Sequence, residues 1–572
     1  MAAVKWFASV ILFIAGCSAS DYSSREFKIT CDNGLAVKTN SGLVCGEIRQ
    51  YKNTTYGSFR GVPYAKPPLG ELRYQEPKKA KSWDDYLDAS SEGSICAQSI
   101  TIYGPLMEPK GISEDCLNVN IYVPLAGGEI PRKKRLPILV YVHGGGFTVG
   151  SGDSDIHGPE YFLTRDVVVV TFNYRLGALG FLSLNTSSVP GNNGLRDQLF
   201  LLRWVQKNGK RFGGDINDVT IFGQSAGAAC VHLLTLSPLT QDRSLFQKAI
   251  LMSGSAVRSF YNYEPEFAAT VATSFLTVMG INATDPEVIY QQLLAADTNQ
   301  YIEASRLLQE QTGLPPFGPI VESIHKGVTR VIDMDPEQLI EAGRGQEIPL
   351  LISFTELECG SLKARINETD LPGKLDANSD LALPSVLQTA PNKDELAVVM
   401  KQRYFAGANA TLNEFVNFCS DSLFKYPAIY TAQRRAELGG AESFLYQFAY
   451  RGENRILETL GFDIEAAGHI EDLTTVFKPN SNVSFPEEVV ERSFDRVMQD
   501  WTVDILVNFM KNSAPATSTV SWPPLSRFLF RYENVVTDSY SLLSLQSDAP
   551  TNEMVQFYTD LFNNATTSNP TA

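Results

Sequence analysis

The stretch TIFGQSAGAAC, Thr220 to Cys230, sets Ser225 between Gly223 and Gly227 in a G-x-S-x-G pattern. A serine hydroxyl becomes a nucleophile only when a base takes its proton, and the base in turn needs an acid to orient it. The pattern alone is common by chance, so its surroundings decide. VTIF before it reads as a buried strand, and AGAACVHLL after it reads as small residues opening a helix. Strand, sharp turn and helix hold a serine on a strained elbow, with glycines where the two elements approach. The plainer reading is a serine that caps a helix.

The chain has five histidines, which narrows the search for the base. His143 and His157 lie upstream of the serine, whereas the chain order on such a scaffold is Ser, acid, His. His232 lies on the elbow helix, about 10 Å from Ser225 along the axis, too far to reach the hydroxyl. His325, in SIHKG, has no orienting acid evident beside it. His469, in EAAGHIEDLTTVF, follows the last strand-like run on a loop, where an imidazole projects over the carboxyl edge of a sheet. It is the expected base. After the strand-like IPLLISF, TELECG offers Glu356 and Glu358 as the acid, Glu358 standing just before a Cys-Gly step that can turn the chain.

Attack on a carbonyl places negative charge on its oxygen, and main-chain N–H groups must already point there. YVHGGGF, Tyr141 to Phe147, ends a strand in three glycines upstream of the elbow. Gly145 and Gly146 are expected to give two N–H groups and Ala226, next after the serine, a third.

The elements that must position these groups are legible as short apolar runs: Leu136 to Val142, Val167 to Phe172, Val219 to Phe222, Ala249 to Met252, Ile348 to Phe354 and Ser443 to Phe448. Such runs read as strands buried on both faces of a parallel sheet. Helix-like stretches between them, such as Leu195 to Asn208, predict an α/β fold. Phe494, Met498, Trp501, Ile505 and Phe509 recur at helical spacing and predict a core-packing helix. The basic run Arg132 to Arg135 reads as a solvated turn.

A formal charge of -16 argues against nucleic acid and anionic lipid as partners. Residues 1–19 carry one lysine, an apolar segment and then small residues, the order of a cleaved secretory signal. The tail lacks the hydrophobic end of a lipid-anchor signal. With no linker, repeat or charge block evident, residues 20–572 are expected to form one domain. Cys17 leaves with the signal, so the seven remaining cysteines leave at least one unpaired. Cys31 with Cys45 and Cys96 with Cys116 are close enough to staple loops, but spacing does not decide connectivity, and Cys230, Cys359 and Cys419 stay open. Sequons stand at Asn53, Asn185, Asn282, Asn367, Asn409, Asn482 and Asn564.

The chain resembles the type-B carboxylesterases, the family that includes cholinesterases. The resemblance rests on FRGVPYAKPPLGELRY (Phe59 to Tyr74), EDCLNVNIYVP (Glu114 to Pro124), HGGGF, NYRLGALGFL (Asn173 to Leu182), GNNGLRDQ (Gly191 to Gln198), GQSAG and SGSA (Ser253 to Ala256). It implies an α/β-hydrolase fold, with a large, mostly parallel sheet flanked by helices and a gorge above the serine. It favours Glu358 over Glu356 and pairs Cys96 with Cys116. GQSAG with GHIEDLTTVFK (Gly468 to Lys478) is similar to insect juvenile hormone esterases and related secreted insect esterases, which implies the methyl ester of an apolar epoxide-bearing terpenoid as substrate. Two departures alter loops: the family's G-x-x-H reads Ala466-Ala467-Gly468-His469, and its E-G reads Glu358-Cys359. Cholinesterases place a second tryptophan after the one matching Trp83 to bind a quaternary ammonium, whereas here Asp84, Asp85 and Tyr86 follow, against choline esters.

The implied reaction is acyl transfer through Ser225, with no metal or organic cofactor expected. A broad or odorant-degrading esterase is the alternative within hydrolases. A non-catalytic adhesion or carrier module is the alternative outside them.

Overall fold

The computed structural model describes residues 31, 34–99, 111–258, 264–452, 466–480, 493–517, 521–526, 533–535 and 552–567. The expected signal segment and Asn482 lie outside the described residues.

Continuous apolar strands demand cover on both faces, and the chain supplies it around one sheet. In chain order its strands are β1 (Leu35–Lys38), β2 (Leu43–Tyr51), β3 (Thr54–Pro63), β4 (Tyr86–Asp88), with a separate two-strand ribbon of β5 (Ile95–Cys96) and β6 (Ile112–Ser113), then β7 (Asn118–Pro124), β8 (Leu136–Val142), β9 (Val168–Phe172), β10 (Gly214–Gln224), β11 (Lys248–Met252), β12 (Leu350–Thr355), β13 (Ser443–Phe448) and β14 (Glu533–Val535). Across the sheet they run β1-β2-β3-β7-β9-β8-β10-β11-β12-β13-β14, with β4 added to β2. From β9 to β14 every pairing is parallel, and β1-β2-β3-β7-β9 is antiparallel.

Alternate side chains of the parallel strands enter two different cores. Ile138, Val140, Val142, Ile221, Ala249 and Leu251 belong to one core, which includes residues of the helices Asn193–Asn208 and Ala226–Leu236. Leu139, Tyr141, Phe222, Ile250 and Leu351 belong to the other, with the helix Phe494–Asn512. Each such burial is worth about 1.5–3 kcal/mol. On that last helix Met498, Ile505 and Phe509 are buried as expected, but Phe494 is 55% exposed, because it opens the first turn and overhangs the core.

Chain order reverses at the centre: β9 lies on one side of β8 and β10 on the other. The loops leaving the carboxyl ends of β8 and β10 diverge there and open a crevice, the place where open α/β sheets bind ligands. The glycine loop follows β8 and Ser225 follows β10.

Disulfides join Cys31 to Cys45, Cys96 to Cys116 and Cys359 to Cys419. Cys230 is unpaired on the elbow helix, and burial pushes its thiol up to about 12, so it is held as an inert thiol. Asn53, Asn185, Asn282, Asn367, Asn409 and Asn564 are all exposed. No described helix is long and apolar enough to cross a membrane.

Candidate active site

Ser225 sits between β10 and the helix Ala226–Leu236 at φ 58°, ψ -127°. A non-glycine residue there carries about 1–3 kcal/mol of strain. Its side chain makes no capping hydrogen bond, which removes the helix-cap reading. Its N–H donates to Met252 O at 2.8 Å, tying the elbow to β11. The flanking glycines are steric necessities: a Cβ on Gly223 would stand 2.2 Å from Gly227 O, and one on Gly227 would stand 2.1 Å from Val142 O. Gly227→Ala is therefore expected to cost about 3 kcal/mol by pushing the elbow helix off β8. Urea unfolding of the purified variant measures it, and a midpoint equal to wild type contradicts it.

The glycine loop lies directly against the serine, since a methyl at Gly144 would be 2.9 Å from Ser225 Cβ. Gly145 and Gly146 take φ 108° and 60°, a turn open to glycine at little cost. Among the described residues neither N–H is paired with an acceptor. Ala226 opens a helix, so its N–H is one of the four without an intrahelical partner.

The acid and base loops are laced together by main chain. Leu357 N donates to Ala467 O and His469 N donates to Glu358 O, each at 2.9 Å. On this frame Glu358 Oε2 meets His469 Nδ1 at 2.6 Å, while Thr355 N donates to Glu358 Oε1 at 2.8 Å. Glu358 is fully buried and Glu356 is exposed, which separates the two candidates. The Glu358 contact fixes the tautomer: Nδ1 carries the hydrogen and Nε2 keeps its lone pair. That lone pair accepts from the side-chain amide of Gln224 at 3.2 Å, so the imidazole reaches the residue preceding Ser225. No hydrogen bond joins His469 to Ser225 Oγ among the described residues. Catalytic hydrogen bonds are often long without substrate and tighten when it binds.

The remaining histidines are spent elsewhere. His143 stacks on Tyr174 with ring centroids 4.4 Å apart, and burial lowers it to about 4. His157 packs on Tyr141 and Phe477, and burial lowers it to about 3. His232 bonds Ser255 at 3.3 Å, and burial again lowers it to about 3. All three are neutral at physiological pH. Partly exposed His325 contacts Asn185.

Sequence reasoning missed three supports of the base. The Cys359–Cys419 disulfide fastens the acid's turn to the helix Leu412–Cys419, and Cys359 N donates to Ser420 Oγ at 2.9 Å. The widened π-helical turn Ser420–Lys425 carries Phe424, whose ring lies 4.7 Å from that of His469. Inserted turns of this kind cluster at functional sites. Gln224 is the third. A small cleft adjoins the site, lined by Gly144 and Gln224 beside the serine, Ile470 next to His469, and Leu473 and Phe477. Trp83 donates to Leu43 O at 2.7 Å and packs on Gly42, so it is committed to the β1–β2 hairpin.

A strained serine after a central strand, a glycine loop against it and a buried Glu–His pair, on a mostly parallel sheet flanked by helices, define an α/β-hydrolase. The chain belongs to the carboxylesterase family, whose model matches residues 33–555, and is a carboxylic ester hydrolase. It is 45% identical to the juvenile hormone esterase of Heliothis virescens over 520 residues, covering 89% of this chain and 91% of that one. It is 32% identical to the juvenile hormone esterase of Tribolium castaneum, covering 76% of each. The crystal structure of juvenile hormone esterase from Manduca sexta, with OTFP covalently attached, superposes with a TM-score of 0.87 at 44% identity, covering 92% of this chain and 99% of that one.

Proposed function

We propose that the protein is a secreted serine esterase, one α/β-hydrolase domain after loss of its signal, that cleaves the methyl ester of an apolar terpenoid of the juvenile hormone class. The reaction class is carried by the 2.6 Å Glu358–His469 contact, which leaves Nε2 free to accept a proton beside the elbow. The Gln224 amide yields Nε2 to the Ser225 hydroxyl. Oγ then passes its proton to His469 and bonds to the ester carbonyl carbon. The N–H groups of Gly145, Gly146 and Ala226 receive the oxyanion, each worth about 10²–10³ in rate. His469 returns the proton to the departing alkoxide, and methanol leaves. Water, deprotonated by the same imidazole, attacks the acyl carbon; the bond to Ser225 Oγ breaks, Oγ takes the proton back from His469, and the acid leaves.

The substrate class rests on likeness to the two juvenile hormone esterases and on apolar neighbours of the site: Phe424 against the base and Pro315 against Gly146. Three disulfides fit an oxidising compartment. Comparing kcat/KM for a juvenile hormone, an aryl acetate and a volatile acetate tests the proposal. The hormone is expected to lead by about 100-fold or more. A lead for the aryl or volatile ester replaces the reading with a broad or odorant-degrading esterase.

A further inference from the structure

We propose that Asp472 stands in the folded protein as a neutral carboxylic acid beside the ionised Glu358 of the Glu358–His469 pair. The inference rests on the proposed triad for its meaning, though not for its principal test. Two carboxyl side chains here are fully buried, Glu358 and Asp472. They are provided for very differently. Both oxygens of Glu358 have donors, the imidazole at 2.6 Å and Thr355 N at 2.8 Å. Asp472 has one: Oδ1 accepts from Leu473 N at 2.9 Å, while Oδ2 has no hydrogen-bond partner. An ionised carboxylate offers about four lone-pair sites, and a bare buried oxygen is a poor place for its charge.

The surroundings favour a hydroxyl over a second anion. Ser353 on β12 and Tyr446 on β13 are partners in register, and both hydroxyls are buried. The titratable groups acting on Asp472 are Glu358 from the turn after β12, Tyr446 from β13 and Glu471 from its own loop. Burial first, then repulsion from Glu358, hold Asp472 well above the usual carboxylate range. Of two buried carboxyls that repel one another, the proton belongs on the one with fewer donors.

The consequence for the base is direct. A second ionised carboxylate beside Glu358 would add to the field that favours the imidazolium over the proton-accepting imidazole. Asp472 is thus a positioning residue. Its Oδ1 caps the short helix Leu473–Val476, and its proton removes one negative charge from beside the pair. The chain between the two is held under strain, for β-branched Ile470 sits at φ 72°.

The test is proton linkage with Asp472→Asn. A folded-state value raised above the unfolded value of about 3.9 means that the folded protein keeps a proton the unfolded chain loses. The stabilising effect of that proton is fully present below the unfolded value and is lost as pH rises through the folded one. Wild type should therefore lose stability relative to Asp472→Asn by about tenfold in the folding equilibrium per pH unit above pH 5, levelling off at the folded value. Asp472→Ser, which retains an acceptor for Leu473 N, serves if the asparagine variant does not accumulate. A difference flat from about pH 5 to pH 8 overturns the proposal, because an aspartate ionised in both states binds no extra proton. The acid limb of kcat/KM supplies the second readout. It should stay in place in the variant, and a shift to lower pH would show that an ionised Asp472 had been raising His469. Urea unfolding needs no substrate, so it separates failure of this inference from failure of the triad.

Discussion

Ser225→Ala is expected to lower kcat for ester hydrolysis on the order of 10⁶-fold, with the fold intact. The loss is this large because, in the proposed mechanism, the serine forms the covalent intermediate. Without it the oxyanion donors and the binding cleft retain only the residual catalysis of a positioned water, about 10³–10⁴ over solution. A fluorophosphonate should label the wild type and leave Ser225→Ala unmodified. A companion variant isolates the elbow's strain. At φ 58°, ψ -127° alanine suffers as much as serine, whereas glycine does not, so Ser225→Gly should be more stable than Ser225→Ala by about 1 kcal/mol, and equally inactive. Equal labelling of wild type and Ser225→Ala, or a kcat within tenfold of wild type, would sink the nucleophile and return the fold to its non-catalytic alternatives.

The elements and loops legible in the sequence are those whose physics is local. LPILVYV and SFLYQF coincide with β8 and β13, because a mostly apolar run of this length has one stable destination, a strand covered on both faces. VTIF is the core of a longer strand, β10, whose first residues are polar and only partly buried, so apolarity undercounts it. Strands β1, β2 and β4 escaped notice because part of each is exposed or half-buried and their side chains mix types. The glycine loop and elbow declared themselves through glycines whose absence of Cβ is a local demand. The supports of the base did not. Phe424 reaches His469 and Cys359 reaches Cys419 across long separations, and aromatic or cysteine identity carries no address for such contacts. Glu356 and Glu358 differ by one strand-end turn, and burial, a tertiary property, tells them apart.

That distinction sets the second large effect. Glu358→Gln is expected to reduce kcat about 10⁴-fold while leaving KM and folding close to wild type. The main-chain bonds that lace the two loops, Leu357 N to Ala467 O and His469 N to Glu358 O, involve no side-chain atom of residue 358, so the imidazole stays in place. What changes is its hydrogen. A glutamine amide facing Nδ1 with its N–H favours the tautomer whose hydrogen sits on Nε2, where a lone pair is needed to take the serine's proton. It also supplies no charge to stabilise the imidazolium that follows. Glu356→Gln, altering an exposed carboxylate that touches neither loop partner, is the matched control and should remain within a factor of about two of wild type. Steady-state kinetics of the pair decides the matter: a Glu358→Gln enzyme within tenfold of wild type, or a Glu356→Gln enzyme equally impaired, means that the 2.6 Å contact orients no working base.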